Sequence, residues 1–145
     1  MWYAHDVARV SKSLPFSMRI SRGLAAYAEA EAKRTRRATG TVIEGLAEEA
    51  MRCRLFPGVA FRGTDWARRA WVIGTGLDVW EIAQAMRAAG SAERLVAESD
   101  LARPHVRLAE AYARAYPDEI DQAIAENSMP LDELRERYPT FEVAS

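Results

Sequence analysis

A short alternating segment near the N-terminus constrains the fold of this chain more than any other feature. Its apolar side chains are Phe16, Met18 and Ile20, and the polar ones between them are Ser17, Arg19 and Ser21. Strict alternation predicts a short, half-buried β-strand. Two helices and no second strand are predicted over about the next forty residues, so the strand lacks a partner for its backbone N–H and C=O groups. The simplest source of a partner strand is the same segment of a second copy, so the sequence predicts a homodimer.

Local signals delimit the two helices that follow. Ser21 is predicted to cap the first helix, over residues 22 to about 36, and Thr39 or Thr41 to cap the second. Gly45 lies inside the second helix, where glycine costs about 1 kcal/mol relative to alanine. Close packing against a dimer mate would account for this glycine, and so would neutral drift.

The net charge of −1 conceals a basic and an acidic half. Residues 1–72 carry 13 basic and 7 acidic side chains (+6), whereas residues 73–145 carry 7 basic and 14 acidic ones (−7). The first half is therefore expected to attract polyanions and the second to repel them. Arginine supplies 18 of the 20 cations. Arginine suits bidentate contacts to phosphate or guanine, but a GC-rich bacterial genome produces the same bias.

A two-fold antiparallel ribbon made from this strand would fit the major groove of DNA. Its outer face would present Arg19, which can donate two hydrogen bonds to guanine, between two serines that can bond several base edges. The alternative is that Arg19 is simply an exposed strand residue and that the cations of residues 33–37 are a solvated helix end. The joint occurrence of the lone strand, the two helices and the basic first half favours DNA binding.

Residues 16–55 resemble the ribbon-helix-helix DNA-binding fold of many antitoxins and small repressors. The resemblance is carried by Met18-Arg19-Ile20-Ser21, then Leu24, and then the stretch from Val42 to Ala50. It implies that the DNA-binding positions are Ser17, Arg19 and Ser21, which read bases, and the backbone amides of Thr39, Gly40 and Thr41, which hold a phosphate at the start of the second helix.

From residue 57 onward, the sequence predicts a short β-hairpin followed by helices. The hairpin strands are Val59–Phe61 and Ala70–Ile73, on either side of a glycine-containing turn. Local signals then mark the predicted helices, namely a cap at Asp78, a stop at Gly90, a short helix over residues 91–99, and Pro104 at the first position of the next helix. Pro117 is predicted either to kink that helix or to restart it toward Ile124. The predicted fold class is mainly α with short β, a ribbon-helix-helix module followed by a small helix-turn-helix-like domain with a short hairpin.

Residues 57–124 resemble a small helical domain that often accompanies antitoxins. The matching stretches are Phe56–Arg62, Arg68–Ala70, Gly76–Ile82 and Ala113–Ile120. This resemblance implies an antitoxin of the VapB type, whose toxin partner is a PIN-type ribonuclease. The expected organisation is an N-terminal arm (1–15), a DNA-binding and dimerisation module (16–56), a helical antitoxin-associated domain (57–126) and a C-terminal tail (127–145).

The acidic second half suits a ribonuclease, because an enzyme that binds RNA presents a basic surface. The candidate toxin-binding residues lie in the tail, as an apolar stripe and two nearby cations: Leu131, Leu134, Tyr138, Phe141, Arg135 and Arg137. The arginines would approach the carboxylates of a metal-dependent nuclease site. The alternative is that the tail packs on its own domain.

Disulfide, metal, cofactor and catalytic sites are not expected from the sequence, and neither is export or membrane insertion. Cys53 is the single cysteine, so neither a disulfide framework nor a cysteine zinc site is predicted. His5 and His105 lack the spacing of metal ligands, and no phosphate-binding loop or catalytic motif is present. We therefore expect no metal, no cofactor and no enzymatic activity. The sequence also lacks a signal peptide and an apolar membrane span, which predicts a cytoplasmic protein.

These observations predict a homodimeric antitoxin that binds operator DNA, represses its own operon and neutralises a PIN-type ribonuclease by binding it. The alternative from another class is a stand-alone dimeric ribbon-helix-helix transcription regulator with no toxin partner. Its C-terminal half would only extend dimerisation or sense a ligand.

Overall fold

The computed structural model describes residues 13–64 and 67–128 of the chain. Over these residues the architecture is mainly helical with one small antiparallel β-hairpin, which confirms the predicted mainly-α class with short β. The elements in chain order are α1 (Arg22–Thr35), α2 (Thr39–Leu55), β1 (Val59–Arg62), β2 (Arg69–Val72), α3 (Val79–Ala89), α4 (Ala92–Glu98), α5 (Arg103–Ala115) and α6 (Pro117–Asn127).

The strand predicted for residues 16–21 is not formed within the single chain. Residues 13–21 belong to no helix or strand, and the side chains of Leu14, Phe16 and Met18 are 81%, 84% and 64% exposed. A strand persists only where a second backbone completes its hydrogen-bonded ladder. The described residues provide no such backbone at this place, so the expected half-burial is wrong for a single chain, and the ribbon stays a prediction about two copies.

Helices α1 and α2 form a helical hairpin with a small core. The hydroxyl of Ser21 accepts a hydrogen bond from the N–H of Leu24 at 3.1 Å, which confirms the predicted cap of α1. The predicted threonine caps of α2 are wrong, because the helix begins at Thr39 itself and its N-cap is Ala38. The core consists of small residues, with Ile43 and Leu46 packed against it: Ala28, Ala32 and Val42.

The larger core lies in the C-terminal unit, which we define as residues 56–128. Strands β1 and β2 pair antiparallel from Val59 opposite Val72 to Arg62 opposite Arg69, which confirms the predicted β-hairpin. This β-hairpin packs against α3 and α5. The largest fully buried side chains are Tyr112, Ile82, Val72, Val79 and Val106.

Helix boundaries in the C-terminal unit follow the predicted local signals. Gly90 ends α3 in a left-handed conformation with φ 96°, and Ser91 caps α4 by accepting a hydrogen bond from the N–H of Arg94. Pro104 lies in the first turn of α5, where its missing N–H removes no helical bond, and Pro117 starts α6. The short helices thereby enclose one core beneath the β-hairpin.

Candidate nucleic-acid interface and the junction between the two units

The predicted base-reading residues lie just before α1. Ser17 and Arg19 are exposed, and Arg19 makes no ion pair with any described residue. The hydroxyl oxygen of Ser21 is occupied by the cap of α1, so this side chain retains its O–H as the donor for a base edge. The structure thus leaves Arg19 free for recognition and gives Ser21 a structural role as well.

The predicted phosphate-binding residues form the first turn of α2. The N-cap is Ala38, and within the described part of the chain no side chain caps the backbone amides of this turn. A Cβ built on Gly40 meets nothing within 4 Å, and both Gly40 and Thr41 are exposed. Unsatisfied amides and the helix dipole both favour an anion at such a terminus.

A single chain does not bring these two predicted sets together. Residues 17–21 precede α1, whereas residues 39–41 follow its C-terminal end, and α1 has 14 residues. At 1.5 Å per residue the helix separates the two sets by about 21 Å. The C-terminal end of α1 instead places Lys33 and Arg36 close in sequence to the first turn of α2.

Cations make fewer ion pairs with described carboxylates in residues 19–37 than after residue 50. Among the described residues, several cations of the segment 19–37 make no ion pair, namely Arg19, Arg22, Lys33 and Arg36. Arg37 donates from Nε to the hydroxyl of Thr35 at 3.0 Å. Most arginines after residue 50 are ion-paired instead, in the pairs Arg52–Glu119, Arg62–Asp78, Arg69–Asp78, Arg68–Glu49, Arg87–Asp121, Arg94–Glu98, Arg107–Glu93 and Arg114–Glu110. Arg54 and Arg103 are the described exceptions in this later part. The cations available to an external polyanion are therefore concentrated in the N-terminal part.

Arg52, near the end of α2, joins the helical hairpin to the C-terminal unit. Its guanidinium donates to the hydroxyl of Tyr112 at 2.8 Å and to Oε1 of Glu119 at 3.0 Å. The guanidinium carbon also lies 3.9 Å from the ring centroid of Tyr116. The side chain is 17% exposed, and on its own helix it donates from Nε to Glu48 at 3.1 Å. Sequence reasoning missed this junction, although the spacing of the two tyrosines and Glu119 along α5 and α6 is a signal for it.

An aromatic cluster anchors the same junction. Phe56, which follows α2 directly, packs edge-on against Tyr112 and Tyr116 with centroid distances of 5.2 and 6.1 Å. Burial, together with the nearby carboxylate of Glu119, raises the pKa of Tyr112 above its ordinary value. The hydroxyl of Tyr112 donates to Oε2 of Glu119 at 2.7 Å. The expected boundary near residue 56 thus falls where the end of α2 enters the core of the C-terminal unit.

Asp78 occupies the predicted N-cap position of α3 but makes no cap hydrogen bond. Its carboxylate, 4% exposed, accepts from Nε of Arg62 at 2.9 Å and from Nε of Arg69 at 2.6 Å. Trp80 donates from Nε1 to the same carboxylate at 3.2 Å. Burial alone would raise the pKa of Asp78, but the two arginines outweigh burial and lower it. The predicted cap is therefore wrong in its bonding, and the carboxylate ties α3 to the β-hairpin.

The predicted toxin-binding residues between Leu131 and Phe141 lie outside the described residues. Within the part that the structure describes, no three His, Cys, Asp or Glu side chains are grouped to hold a metal ion. None of the described helices combines the length and apolar character needed to cross a membrane.

Comparisons with protein-family models, with curated proteins and with solved structures find no match for this chain. Its function is therefore inferred from its own residues.

Proposed function

We propose that this chain is a homodimeric antitoxin that acts in the cytoplasm, represses its own operon by binding operator DNA, and neutralises a PIN-type ribonuclease by binding it. The observation that carries the DNA-binding part is that Arg19, Arg22, Lys33 and Arg36 make no ion pair with any described residue, whereas Arg34 pairs with Glu31. Arg19 lies within the exposed segment 16–21, for which we propose a partner strand from a second copy. Unpaired cations release counterions when they neutralise phosphates, which drives binding to DNA.

In this proposal two copies pair their segments 16–21 as an antiparallel ribbon. Pairing would cover Phe16 and Met18 against the helices, remove their exposed apolar area from water and satisfy the backbone groups of both segments. Arg19, on the opposite face of the ribbon, would then enter the major groove. The first turn of α2 would hold a phosphate and fix the register of the ribbon on the duplex.

The test compares Arg19→Ala with Arg103→Ala, in which the replaced side chain is also exposed and without an ion pair among the described residues. We expect Arg19→Ala to weaken binding to the DNA upstream of the gene by about 5- to 150-fold, because a bidentate arginine contact contributes about 1–3 kcal/mol. Arg103→Ala should bind like the parent protein. Both affinities are measured by fluorescence anisotropy at one fixed salt concentration. Equal affinities of the two variants would refute the proposed role of Arg19.

The toxin-binding part rests on the acidic second half of the chain and on the tail proposed to dock on the nuclease. We expect a reading frame for a PIN-type ribonuclease beside the gene, and we expect its product to copurify with this chain. The Arg135 and Arg137 double alanine variant should release the nuclease activity while DNA binding persists. Absence of a copurifying ribonuclease would contradict this part and leave the DNA-binding part standing.

A specific observation favours the second candidate, a stand-alone dimeric regulator. Five of the ten described carboxylates of the C-terminal unit make ion pairs with its own arginines, as in Arg87–Asp121 and Arg107–Glu93. Internal pairing reduces the field that such a unit offers to a basic partner. The copurification experiment separates the two candidates, since only the antitoxin requires the ribonuclease.

A further inference from the structure

A cavity of about 350 Å³ lies between the helical hairpin and the C-terminal unit. Its lining on α2 runs along one face of the helix, from Val42 to Arg52, which is about 15 Å at 1.5 Å per residue. Apolar residues of both units contribute to the lining, with Leu46 on α2, Tyr27 on α1 and Phe61 on β1. A cavity with apolar walls at the boundary between two structural units is a typical setting for a small-molecule site.

The polar part of the lining contains more carboxylates than guanidinium groups. We define the carboxylate cluster as the charged lining residues at the C-terminal half of α2 and opposite it, namely Glu48, Glu49, Glu119, Arg52 and Arg68. Arg52 pairs with both Glu48 and Glu119, and Arg68 pairs with Glu49. Three carboxylates and two guanidinium groups give this cluster a net charge of −1. The other charged residues of the lining are one of each sign, Glu31 and Arg37.

Hydrogen bonding within the carboxylate cluster leaves acceptors open. Arg68 donates from Nε to Glu49 and from its two terminal nitrogens to backbone carbonyl oxygens. Arg52 likewise donates to Glu48, to Glu119 and to the hydroxyl of Tyr112. By contrast, one carboxylate oxygen of Glu48 and one of Glu49 make no hydrogen bond with any described residue. A carboxylate accepts at about four lone-pair sites, so the cluster can accept further bonds from a cationic donor.

A buried hydroxyl beside the carboxylate cluster also has an open acceptor. Tyr116 is 7% exposed, and its hydroxyl is buried without a hydrogen-bond partner among the described residues. Burial raises the pKa of Tyr116, and the charged groups that also act on it are Arg52, Glu48 and Glu119. All three of these groups line the cavity, so the hydroxyl lies next to this part of its wall. Buried polar groups are normally hydrogen-bonded, which makes this open hydroxyl a second indication of a ligand.

We infer that this cavity binds a small aliphatic amine in its protonated form. The ammonium group bonds the open carboxylate oxygens of Glu48 and Glu49, and the hydrocarbon chain lies along Val42 and Leu46. Gly45 keeps this stretch of the wall open, because a Cβ built on it meets no heavy atom within 4 Å.

Other ligand classes fit the lining less well. The net negative charge of the carboxylate cluster repels a carboxylate or a phosphate. A neutral apolar ligand would cover the open acceptors without bonding them, which is unfavourable. Because the walls belong to both units, a bound amine holds the helical hairpin against the C-terminal unit and stabilises the folded protein. This inference adds a ligand to the proposed function and does not depend on it.

The first test titrates the full-length protein with hexylamine at about pH 7, where an amine of this type is protonated. Hexanol and hexanoate keep the hydrocarbon chain and change the head group. We expect one hexylamine to bind per chain with a Kd of about 1 mM, which is within the affinity that a ligand of this size can reach. Hexanol and hexanoate should bind at least about tenfold more weakly, because neither supplies a charge-assisted donor. NMR titration measures the constants and shows whether the backbone amide signal of Gly45 moves. No binding of hexylamine, as expected if another protein chain fills the cavity, or equal binding of the three compounds, would overturn the inference.

The second test locates the ammonium group with a double variant, Glu48→Gln with Glu49→Gln. Its control is Glu29→Gln with Glu44→Gln, which removes two exposed carboxylates of the same helical hairpin outside the cavity lining. The two proteins have the same net charge. We expect the first to bind hexylamine about five- to tenfold more weakly than the parent protein and the control to bind within about twofold of it. Equal weakening in the two would show general attraction to an acidic protein and would contradict the site.

The third test blocks the cavity with Gly45→Leu, and Ala47→Leu is its control at an exposed position outside the lining. Gly45→Leu should weaken hexylamine binding by more than about tenfold, because its side chain occupies the space of the hydrocarbon chain. It should not lower the Tm, since leucine is more favourable than glycine inside a helix, so the loss of binding would not come from unfolding. Ala47→Leu should bind within about twofold of the parent protein. Unchanged binding by Gly45→Leu would place the amine elsewhere and refute the inference.

Discussion

Replacing Arg52 by alanine removes a side chain that joins α2 to two helices of the C-terminal unit. The guanidinium bonds the hydroxyl of Tyr112, bonds the carboxylate of Glu119, and stacks on the ring of Tyr116. We expect the variant to fold with the same secondary structure and to unfold at a lower temperature. The reason is that the lost contacts connect separate elements and are not replaced by any neighbour.

The magnitude follows from how exposed each partner is. The hydrogen bond to Tyr112 contributes about 1 kcal/mol, and Tyr112 keeps its own bond to Glu119, so no buried donor is left unpaired. Stacking on Tyr116 contributes about 1 kcal/mol. The carboxylates of Glu48 and Glu119 are 46% and 45% exposed, so solvent screens each ion pair to less than ~0.5 kcal/mol. The total is about 2–3 kcal/mol, or a decrease in Tm of roughly 10 °C for a protein of this size.

The matched control is Arg87→Ala. Arg87 also joins two helices, through Asp121, but both side chains are more than half exposed. We expect that substitution to cost less than ~0.5 kcal/mol. Urea unfolding followed by circular dichroism measures both free energies at one pH and one protein concentration. Equal losses for the two variants would refute the view that burial against the tyrosines makes the Arg52 junction stronger than an exposed ion pair.

Two further substitutions test the β-hairpin. Asp78→Asn should cost about 2 kcal/mol at pH 7, because it leaves Arg62 and Arg69 without their buried carboxylate. The lowered pKa of Asp78 means that its contribution is complete above the unfolded-state value of about 3.9 and is lost as the pH falls through the folded-state value. The difference from the parent protein should therefore shrink below about pH 4, and a constant difference in acid unfolding curves would contradict this. Gly63→Ala should cost about 1–3 kcal/mol, because φ is +112° and the new Cβ would clash with the carbonyl oxygen of Ala67. Gly76→Ala, with a positive φ but open space, is its control in urea unfolding and should lose less.

Elements that are specified by neighbouring residues could be predicted from the sequence. The cap at Ser21, the stop at Gly90 and Pro104 in the first turn of α5 each depend on a bond or a steric restriction within about four residues. Pro117 starts a new helix, which is one of the two effects predicted for it. The β-hairpin followed from two short apolar runs around a glycine turn. The strand predicted at residues 16–21 could not be tested this way, because the partner strand proposed for it belongs to a second copy, whereas the structure describes a single chain.

The site residues were harder to predict, because they depend on contacts between distant segments. Asp78 has the sequence signal of an N-cap, but the β-hairpin brings Arg62 and Arg69 to it, and two charge-assisted bonds outcompete one bond to a backbone amide. Arg52 bonds Tyr112 from 60 positions away, and no local pattern indicates that pair. The one signal in the sequence is the spacing of Tyr112, Tyr116 and Glu119, which suggests that the three side chains share a cation.

The pairing of arginines bears on the question that composition left open. A mutational bias toward arginine, acting without selection for function, would place unpaired arginines throughout the chain. In the described ranges the arginines after residue 50 are mostly paired with carboxylates, whereas those at residues 19, 22 and 36 are not. Unpaired like charges on neighbouring turns repel one another and offer no folding energy in return. Their position at the two ends of α1 therefore supports the proposed polyanionic partner more than it supports genome composition.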